Sequence, residues 1–493
     1  MSKPNIIYIF ADQLRDDWTH DPEITPNICG LREQSVELSQ AVSGHPVCAP
    51  YRASLFTGKY TTSTGMVINE IRLNPAHHPH TFAGCLTENG YAIEYIGKWH
   101  MYANEWGNHL DPKNSFVPPG EHRLGFDGFF AHYGFHHEYV GESNYYHLDT
   151  DEKIFHDGYE PDCVTDLDLS RLEGLAAGGQ PFSLFLSLGT PHDPWEEWNV
   201  PEKYLELVKD MKFKLPENYL PENDPHADAW ARLSPEEREA LPDWMRVYTA
   251  MTANLDENIG RLMTWIDKLG LAENTIVVFT SDHGEMFGAH GRRAKNVFYE
   301  EALRVPFLIR LPGQRHVPWH GKNCCRDTAP PAQAHRHSSG LCDVLLNTVD
   351  IMPTLLGLCG VDVPAEVEGM DLHKAIEGNE EAAAVPNGQL CMCTGPTADF
   401  YDGHEWRAWR TARWTYAQYL SDGEEHLYDR DADPLQRVNL ACDPVYVDVR
   451  EELREQMLSE MARIKDEFKP NTYYRDEWVT ADRLIVRTAK RSS

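Results

Sequence analysis

The chain has 493 residues, of which 41% are hydrophobic and 11% aromatic. It can therefore bury a large core, and because it is too long for one compact domain we expect two. The formal net charge of −32 argues against the broad basic face that a nucleic-acid partner requires.

The N-terminus enters an apolar strand at once, with no hydrophobic region followed by a small-residue cleavage site. No apolar run approaches the roughly 20 residues that cross a bilayer. We therefore expect a soluble protein with no membrane partner, cytoplasmic unless an export signal was removed. The oligomeric state cannot be predicted from the sequence.

Three apolar runs, residues 5–11, 182–188 and 275–280, each end in polar residues. This pattern is typical of strands buried on both faces of a largely parallel sheet. Open α/β sheets bind ligands at the carboxyl ends of their strands. We therefore expect Asp12, His192 and Asp282, which follow the three runs, to lie near a common site.

A second strong signal is the run from Cys48 to Lys59, Cys-Ala-Pro-Tyr-Arg-Ala-Ser-Leu-Phe-Thr-Gly-Lys. Pro50 suits the first turn of a helix and Gly58 can end it, which places Cys48 at a helix N-terminus, where free N–H groups attract anions. Arg52 would lie one turn further on the same face. A nucleophile beside a guanidinium suits attack on a tetrahedral oxyanion ester.

The remaining elements are predicted as scaffold. Helical periodicity covers residues 244–269 and 341–358, the second with a kink at Pro353, and the Pro- and acid-rich residues 193–242 suggest a surface excursion over the site. Short β-prone runs at 388–394, 406–411 and 415–420 predict an antiparallel sheet. A terminal helix over residues 447–468 would pack on this sheet.

Eleven cysteines is an odd count without regular spacing, which favours reduced thiols. Cys324-Cys325 and Cys391-x-Cys393 have no partner pair at zinc-site spacing. We interpret them as small buried hydrophobes.

The run at Cys48, with Cys-x-Pro-x-Arg followed by Ala-Ser-Leu-Phe-Thr-Gly, closely resembles the signature of the formylglycine-dependent (type I) sulfatase family in the alkaline phosphatase superfamily. The resemblance implies an alkaline-phosphatase-like α/β fold, with a large mixed, mostly parallel sheet flanked by helices. It also implies that a separate maturation enzyme oxidises Cys48 to formylglycine, whose hydrated aldehyde is the nucleophile. We place the catalytic domain at residues 1–385 and a smaller α+β domain at residues 386–493.

Two further motifs resemble the metal ligands of this family. Asp12-Gln13 matches the first pair, although most sulfatases carry Asp-Asp there, and Asp282-His283 matches the second. A neutral amide oxygen can still bind a hard cation. We expect one divalent ion, with calcium preferred because most ligands are oxygens, and manganese or magnesium as alternatives because of the histidine.

Other motifs imply the groups that handle sulfate and protons. Gly97-Lys98-Trp99-His100 matches the family's Gly-Lys-Trp-His motif, and the strand-like alternation would turn Lys98 and His100 to one side. Thr190-Pro191-His192 resembles the loop that carries the general acid. Lys295 fits the second sulfate-contacting lysine, although Arg292 and Arg293 leave the register open. The stretch His426-Leu427-Tyr428-Asp429 resembles a structural landmark near the C-terminus.

The resemblance implies hydrolysis of a small or oligosaccharide sulfate ester. The metal and Asp12 would orient the hydrated formylglycine, and Arg52, Lys98 and Lys295 would neutralise the sulfate oxygens. His192 would protonate the leaving oxygen, and His100 would deprotonate the second hydroxyl.

Two other functions remain open. Phosphonate and phosphate ester hydrolases of the same superfamily also resemble this chain in having Gln after the first Asp. A carbohydrate-binding relative whose cysteine is never matured is the non-enzymatic alternative. The aromatic runs at residues 129–139 and 195–198 either form a sugar-binding rim or pack a lid.

Overall fold

The computed structural model describes residues 3–103, 116–134, 138–313, 340–379 and 384–490. Cys324 and Cys325 lie outside these residues, as does the segment 135–137 of one aromatic run. The strands of the described residues are β1 (Asn5–Ala11), β2 (Val36–Leu38), β3 (Ala92–Lys98), β4 (Phe130–Tyr133), β5 (Tyr145–Tyr146), β6 (Ile154–Phe155), β7 (Phe182–Leu188), β8 (Thr275–Ser281), β9 (Phe307–Arg310), β10 (Gly340–Cys342), β11 (Gln389–Cys393), β12 (Trp406–Arg410), β13 (Trp414–Tyr419) and β14 (Glu425–Asp429).

The helices of the same residues alternate with these strands along most of the chain. They are α1 (Pro26–Glu33), α2 (Cys48–Thr57), α3 (Thr61–Thr64), α4 (Phe82–Glu88), α5 (Glu160–Gly178), α6 (Glu202–Val208), α7 (Pro235–Lys268), α8 (Glu300–Leu303), α9 (Thr348–Leu358), α10 (His373–Ile376), α11 (Val447–Ile464) and α12 (Asn471–Trp478). None of them is long and apolar enough to cross a membrane.

The centre of the molecule is an eight-stranded sheet in the order β10-β2-β9-β8-β1-β7-β3-β4. Every neighbouring pair runs parallel except those of β9, which is antiparallel to both β2 and β8. Strands β1, β7 and β8 are buried along their whole length. The predicted mixed, mostly parallel sheet is therefore confirmed.

Alternate side chains of β1 enter two separate cores, which explains why its sequence is apolar throughout. Ile6, Tyr8 and Phe10 pack with α2, α4 and α9 on one face of the sheet. Ile7 and Ile9 pack with α1, α5 and α7 on the other. Helices thus cover both faces and leave the strand ends as the place for a site.

The C-terminal part forms an antiparallel sheet in the order β11-β12-β13-β14. Helix α11 packs on one face, as predicted for the terminal helix, through Leu453, Met457 and Met461. The other face packs against the loop that follows β8, with Trp406 against Phe298. Strand β14 was not predicted as a strand. Cys391 and Cys393 are buried in β11, as expected for small hydrophobes.

The predicted boundaries of two helices are wrong. Helix α7 begins at Pro235 rather than near residue 244, because Ser234 and Glu237 form a capping box in front of it. Residues 235–242 of the predicted surface excursion therefore belong to α7, and the excursion also contains α6. The predicted helix 341–358 is divided into β10 and α9, and α9 begins only after Asn347, whose backbone N–H donates to Asp350 Oδ2 at 2.8 Å.

Candidate active site

The parallel order of β3, β7, β1 and β8 brings the predicted chemical residues to one edge of the sheet. Asp12 follows β1, Lys98 ends β3, and Asp282 follows β8. Gly97 permits this arrangement, because its φ is 113° and a Cβ there would lie 2.0 Å from the carbonyl oxygen of Ser187 on β7. The backbone of β3 can therefore lie directly against β7 where Lys98 turns towards Asp12.

Cys48 is the first residue of α2 and its side chain is fully buried at the centre of this edge. Gly58 ends the helix in the left-handed conformation, as predicted. The amide oxygen of Asn69 accepts a hydrogen bond from the backbone N–H of Ala49 at 3.0 Å. The nucleophile candidate thus lies where the first N–H groups of the helix point.

Four side chains present atoms that could hold a metal ion. One ligand atom each of Asp12, Cys48, Asp282 and His283 lies within 4.8 Å of the other three, and all four residues are buried. His283 Nε2 is 3.8 Å from Asp12 Oδ1 and 3.5 Å from Asp282 Oδ1. Two buried carboxylates this close to one another suit a divalent cation, which would balance their charges.

The Gln13 amide is turned with its oxygen towards the centre of the site. Its nitrogen donates to Glu285 Oε2 at 2.6 Å, and its oxygen accepts from Lys295 Nζ at 3.2 Å. Its backbone N–H donates to Asp282 Oδ1 at 3.0 Å. The donor set therefore fits a cation held by carboxylate and amide oxygens with one imidazole, and Glu285 is the group that orients the amide.

Two lysines reach the centre of the site. Lys295 Nζ is 3.1 Å from Cys48 Sγ, whereas Lys98 Nζ is 2.5 Å from Asp12 Oδ2. The neighbouring arginines that left the register of Lys295 open point elsewhere, since Arg292 pairs with Asp224 and Arg293 with Glu237.

Arg52 lies beneath the candidate metal ligands. Its Nη1 donates to the Lys98 carbonyl at 2.6 Å and to Ser187 Oγ at 2.7 Å. Its Nη2 lies 3.3 Å from Asp12 Oδ2 and 3.4 Å from Asp282 Oδ2. The guanidinium is fully buried and does not line the open cavity. Its position suits holding the two carboxylates in place.

Two histidines face the cavity in different settings. His192 Nδ1 is 3.0 Å from the Asp193 carbonyl oxygen, and its Nε2 is 3.1 Å from Lys295 Nζ. His100 Nε2 is 3.0 Å from Glu70 Oε1. Strand β3 ends at Lys98, so His100 lies beyond it with a φ of 55°. The predicted strand alternation is therefore wrong, although both side chains reach the site.

The lysines shift the ionisation of the buried acids. Burial raises the pKa of the Cys48 thiol, but Lys295, Lys98 and His283 outweigh it and hold that pKa well below its usual value. Burial and Cys48 raise the pKa of Asp12, yet Lys98 and other nearby cationic groups bring it below the usual range. The cationic neighbours therefore favour the anionic form of both side chains.

The pKa values of Asp282 and His192 are raised. Burial and the neighbouring Asp12 raise the pKa of Asp282, which is the response of one carboxyl beside another. Burial and Lys295 lower the pKa of His192, but Asp193, Asp12 and Cys48 outweigh them, and the pKa lies above its usual value. A histidine with a raised pKa is protonated more of the time, which suits a proton donor.

A cavity open to solvent leads to Cys48. Its lining combines an indole ring with hydrogen-bonding groups and, apart from Cys48 in α2, comes from segments that connect strands and helices. The lining residues are Gln13, Cys48, Asn69, Glu70, His100, His192, Asp193, Trp230, Ala294, Lys295, Thr397 and Ala398.

The described residues of the aromatic runs proposed for a rim divide between buried and exposed positions, with Trp198 55% exposed. Trp195 is 6% exposed and lies against Trp244 and Phe287. Strand β4, within residues 129–139, is buried in the central sheet. The aromatic residue of the cavity is Trp230, which the sequence analysis did not select.

Several cavity residues adopt strained backbone conformations. Gln13, Glu70, His100 and Ala294 all have φ between 55° and 64°, a region that residues with a side chain rarely occupy. Such strain persists where the surrounding structure enforces it and is concentrated at functional sites. It also marks Glu70, a residue for which the sequence carried no motif.

Comparison with known proteins agrees with this geometry. The family model described as Sulfatase matches residues 4–361, and a model described as N-sulphoglucosamine sulphohydrolase, C-terminal, matches residues 331–463. An ulvan-active sulfatase of Formosa agariphila is 34% identical over 96% of this chain and 84% of its own length. An endo-4-O-sulfatase of Bacteroides thetaiotaomicron is 28% identical over 98% and 95%.

Solved structures share the fold over almost the whole chain. One from Bacteroides thetaiotaomicron, reported with the metabolism of multiple glycosaminoglycans, is 26% identical with a TM-score of 0.75 and covers 97% of this chain and 98% of its own. A phosphonate monoester hydrolase from Silicibacter pomeroyi has a TM-score of 0.69 at 21% identity, covering 94% and 96%. At that identity the second likeness concerns the fold alone.

Proposed function

The chain belongs to the sulfatase family and is a sulfuric ester hydrolase, and we propose that it removes sulfate from a carbohydrate, using a nucleophile derived from Cys48. One observation carries the proposal. Cys48 Sγ lies 3.1 Å from Lys295 Nζ, 3.3 Å from His283 Nε2 and 3.7 Å from Asp12 Oδ1. The nucleophile position thus adjoins both the cationic groups and the cation ligands that a sulfate ester requires.

We propose that a maturation enzyme oxidises Cys48 to formylglycine, whose hydrated aldehyde supplies the attacking hydroxyl. Asp12, Gln13, Asp282 and His283 would hold one divalent cation. The cation would polarise a sulfate oxygen and lower the pKa of the nucleophile. Its mainly oxygen ligands favour calcium, with manganese and magnesium as alternatives.

The chain's own groups position the ester and move protons. Lys98 and Lys295 neutralise charge on the sulfate oxygens as the bond to the leaving group breaks. Arg52 holds the carboxylates of Asp12 and Asp282 in place through its contacts with both. Its direct contact with sulfate remains a prediction.

His192 is the proton donor to the leaving oxygen. Asp193 engages its Nδ1, which leaves Nε2 towards the cavity. His100 is engaged at Nε2 by Glu70 and would accept the proton of the second hydroxyl on its other ring nitrogen. The proton donor, His192, and the proton acceptor, His100, are thus different residues, and each has a carboxylate neighbour.

The cavity supports a sugar as the leaving group. Trp230 offers an indole face, while Asn69, Glu70 and Thr397 offer hydrogen-bonding groups. A flat apolar face with polar groups around it matches a pyranose ring. The names of the Formosa and Bacteroides relatives, an ulvan-active sulfatase and an endo-4-O-sulfatase, point to the same substrate class.

A peptide mass at Cys48 and a desulfation screen test the proposal together. Protein produced with a maturation enzyme should be about 18 Da lighter at Cys48 and should release sulfate from sulfated mono- or oligosaccharides. Cys48→Ser should form no aldehyde of this kind and show no turnover. Full turnover by Cys48→Ser would refute the nucleophile, and an unmodified wild-type cysteine would favour the non-catalytic carbohydrate-binding alternative.

A second candidate, hydrolysis of phosphonate or phosphate esters, is favoured by Gln13. This residue replaces the acidic residue that most sulfatases carry and leaves the site with one less negative charge. Side-by-side rates on aryl sulfate and aryl phosphonate esters separate the two functions. We expect the higher kcat/KM on the sulfate, and the reverse order would transfer the proposal to phosphonates.

A further inference from the structure

The loop that carries His192 is held by a tyrosine that does not line the cavity. This loop, residues 189–194, directly follows β7 and is called the His192 loop below. Tyr139 ends one of the aromatic runs and is fully buried. Its hydroxyl donates to the carbonyl oxygens of Gly189 at 2.7 Å and of His192 at 3.0 Å. The two carbonyls share the single proton that a tyrosine hydroxyl can donate.

The close contact between Tyr139 and the loop depends on Gly189. A Cβ at Gly189 would lie 2.9 Å from Cε1 of the Tyr139 ring. The backbone of Tyr139 is held as well, because its N–H donates to Asn199 Oδ1 at 2.7 Å and its carbonyl accepts from the N–H of Glu160 at 2.9 Å. A tyrosine that is bound through its backbone and packed on a glycine gives the loop a rigid point of attachment.

Two further buried side chains hold the His192 loop. Trp195 Nε1 donates to the Pro191 carbonyl at 2.8 Å, and Asn199 Nδ2 donates to the Pro194 carbonyl at 3.2 Å. Asn199 therefore binds both the loop and the Tyr139 backbone. Neither Trp195 nor Asn199 lines the cavity. The backbone on both sides of the histidine is thus held by donors that lie outside the cavity lining.

The contact with the His192 carbonyl also affects how the imidazole ring is turned. That carbonyl belongs to the peptide group between His192 and Asp193, and His192 Nδ1 donates to the next carbonyl, that of Asp193, at 3.0 Å. A rotation of the peptide group would move the acceptor of Nδ1 and would turn the ring with it. The Tyr139 hydroxyl opposes this rotation. Burial raises the pKa of Tyr139 well above its usual value, so the hydroxyl keeps the proton that it donates.

We propose that Tyr139 is a positioning residue for the general acid, through its hydrogen bond to the His192 carbonyl. This inference rests on the proposed function, in which the S–O bond of the ester breaks, its electron pair passes to the leaving oxygen, and His192 Nε2 gives that oxygen a proton. The proton can be transferred only when donor and acceptor are within hydrogen-bond reach. A displacement of about 1 Å can cost about 100-fold in rate. Tyr139 controls this distance through the loop, without lining the cavity.

The test compares two esters of similar size that differ in their need for the acid. Phenolate is a strong enough base to require a proton as it leaves, whereas para-nitrophenolate is a weaker base and leaves without one. On matured full-length protein, Tyr139→Phe should lower kcat/KM for phenyl sulfate about 10- to 100-fold. The loss for para-nitrophenyl sulfate should stay below about threefold, because that leaving group needs no proton donor. General damage to the site would lower both rates equally.

Two further variants separate this inference from the proposed function. His192→Ala should show the same dependence on the leaving group to a greater degree, and equal losses on both esters would refute His192 as the acid. Tyr159 is the matched control, since it is buried, its ring centroid lies 6.3 Å from that of Tyr139, and its hydroxyl has no hydrogen-bond partner in the described part of the chain. Tyr159→Phe should keep the wild-type rates. Equal losses on both esters for Tyr139→Phe, or the same losses for Tyr159→Phe, would overturn the inference alone.

A crystal structure gives a readout that does not depend on activity. In Tyr139→Phe the His192 carbonyl should be rotated and Nε2 displaced by about 1 Å. An imidazole in the same position as in the wild type would overturn the proposal. If Tyr139→Phe does not fold, Trp195→Phe removes the donor to the Pro191 carbonyl instead. That variant should also lose more kcat/KM on phenyl sulfate than on para-nitrophenyl sulfate, and equal losses would overturn the proposal.

Discussion

At the scale of single residues, the pair formed by Glu70 and His100 links an unexpected carboxylate to the predicted base. The Glu70 side chain is 5% exposed and lines the cavity, and its oxygen lies 3.0 Å from His100 Nε2. A carboxylate beside an imidazole fixes the ring's orientation and stabilises its protonated form. Glu70 is therefore a positioning residue for the proton transfer assigned to His100.

We expect Glu70→Gln to lower kcat about 10- to 100-fold with little change in KM. Acid–base catalysis contributes about 10²–10⁴-fold to the rate, and the variant should lose the part that depends on the position of His100. Steady-state kinetics on matured protein measures kcat and KM.

Glu366→Gln provides the matched control, because Glu366 pairs with His80 on the surface. That variant should keep the wild-type kcat. A change in KM alone for Glu70→Gln would assign Glu70 to substrate binding instead, and unchanged kinetics would remove it from the mechanism.

Glu285 orients a candidate cation ligand rather than touching the ester. It accepts from the Gln13 amide and also from the backbone N–H groups of Phe287 and Ala294, at 3.0 and 2.7 Å. Glu285→Gln should weaken binding of the catalytic divalent cation roughly 10- to 100-fold, the usual cost of losing an outer partner of a ligand. Activity titrated with the cation after chelation measures this affinity. An unchanged cation requirement would show that Gln13 needs no such support.

Short motifs predicted most of the residues that meet at the site, including Asp12, Cys48 and Lys98. Motifs succeed there because each places a chemical group next to a strand end or helix start whose position the fold determines. Glu70 could not be found in this way, since its partner His100 lies thirty positions further along the chain. Both residues also have positive φ. The contacts of Arg52 with Asp12 and Asp282 could not be predicted from motifs either, because they require α2 to meet the ends of β1 and β8.

At the scale of elements, the start of α7 shows how a local cap outweighs composition. Residues 235–242 are rich in Pro and Glu and suggested a surface loop. However, Ser234 accepts from the Glu237 N–H, and the Glu237 side chain accepts from the Ser234 N–H. Pro235 then suits the first helical position. The four-residue signal of a capping box was present in the sequence, but the prediction relied on the apolar periodicity, which begins later.

Ser234→Ala should therefore lower the free energy of unfolding by about 1 kcal/mol, the usual cost of losing an N-cap side chain. Chemical denaturation measures the change. Ser421→Ala, at an exposed turn, should stay within about 0.5 kcal/mol of wild type. Equal losses in the two variants would mean that the cap adds nothing to the stability of α7.

The fold class could be predicted because continuous apolar strands and helical periodicity are local signals. The prediction missed the division of residues 341–358 into β10 and α9 because it relied on the apolar residues, which continue through both segments and acquire different tertiary partners: β10 pairs with β2, whereas α9 packs against α2. The domain boundary after residue 385 remains a prediction.

At the scale of the whole molecule, a buried ion pair joins the two sheets. Glu300 of α8 accepts from Arg410 of β12 through two bonds, at 2.7 and 2.8 Å. Burial raises the pKa of Glu300, but Arg410 and Arg430 outweigh it and bring the pKa well below its usual value. The pair therefore adds stability above the unfolded-state pKa of about 4.3, and this stability is lost as the pH falls below it.

Glu300→Gln should lower the free energy of unfolding by about 3 kcal/mol at pH 7, because it leaves Arg410 buried without its anion. The difference from wild type should shrink below about pH 4, where the wild-type carboxylate begins to lose its advantage. Urea denaturation at several pH values measures both. A difference that is independent of pH would mean that packing, rather than charge, is responsible.

The burial of Cys48 has a consequence for its proposed oxidation that involves the stability of the entire chain. Every residue of α2 is buried, and the thiol lies at the inner end of the cavity with no exposed surface. Another enzyme can reach it only when this core opens, and global unfolding of a stable domain costs about 5–15 kcal/mol. Modification of the folded chain should therefore be slow and should follow the population of the open form.

We accordingly expect purified, unmodified protein to gain little aldehyde when the maturation enzyme is added, whereas co-expression yields the modified peptide. The destabilised Glu300→Gln chain supplies the decisive comparison. If opening limits access, a loss of about 3 kcal/mol should raise the rate of conversion about 100-fold, because each 1.4 kcal/mol changes the open population tenfold. Peptide mass at Cys48 over time measures the rate. Equal rates for wild type and Glu300→Gln would mean that the enzyme reaches the thiol through a local opening that leaves the contact between the sheets intact.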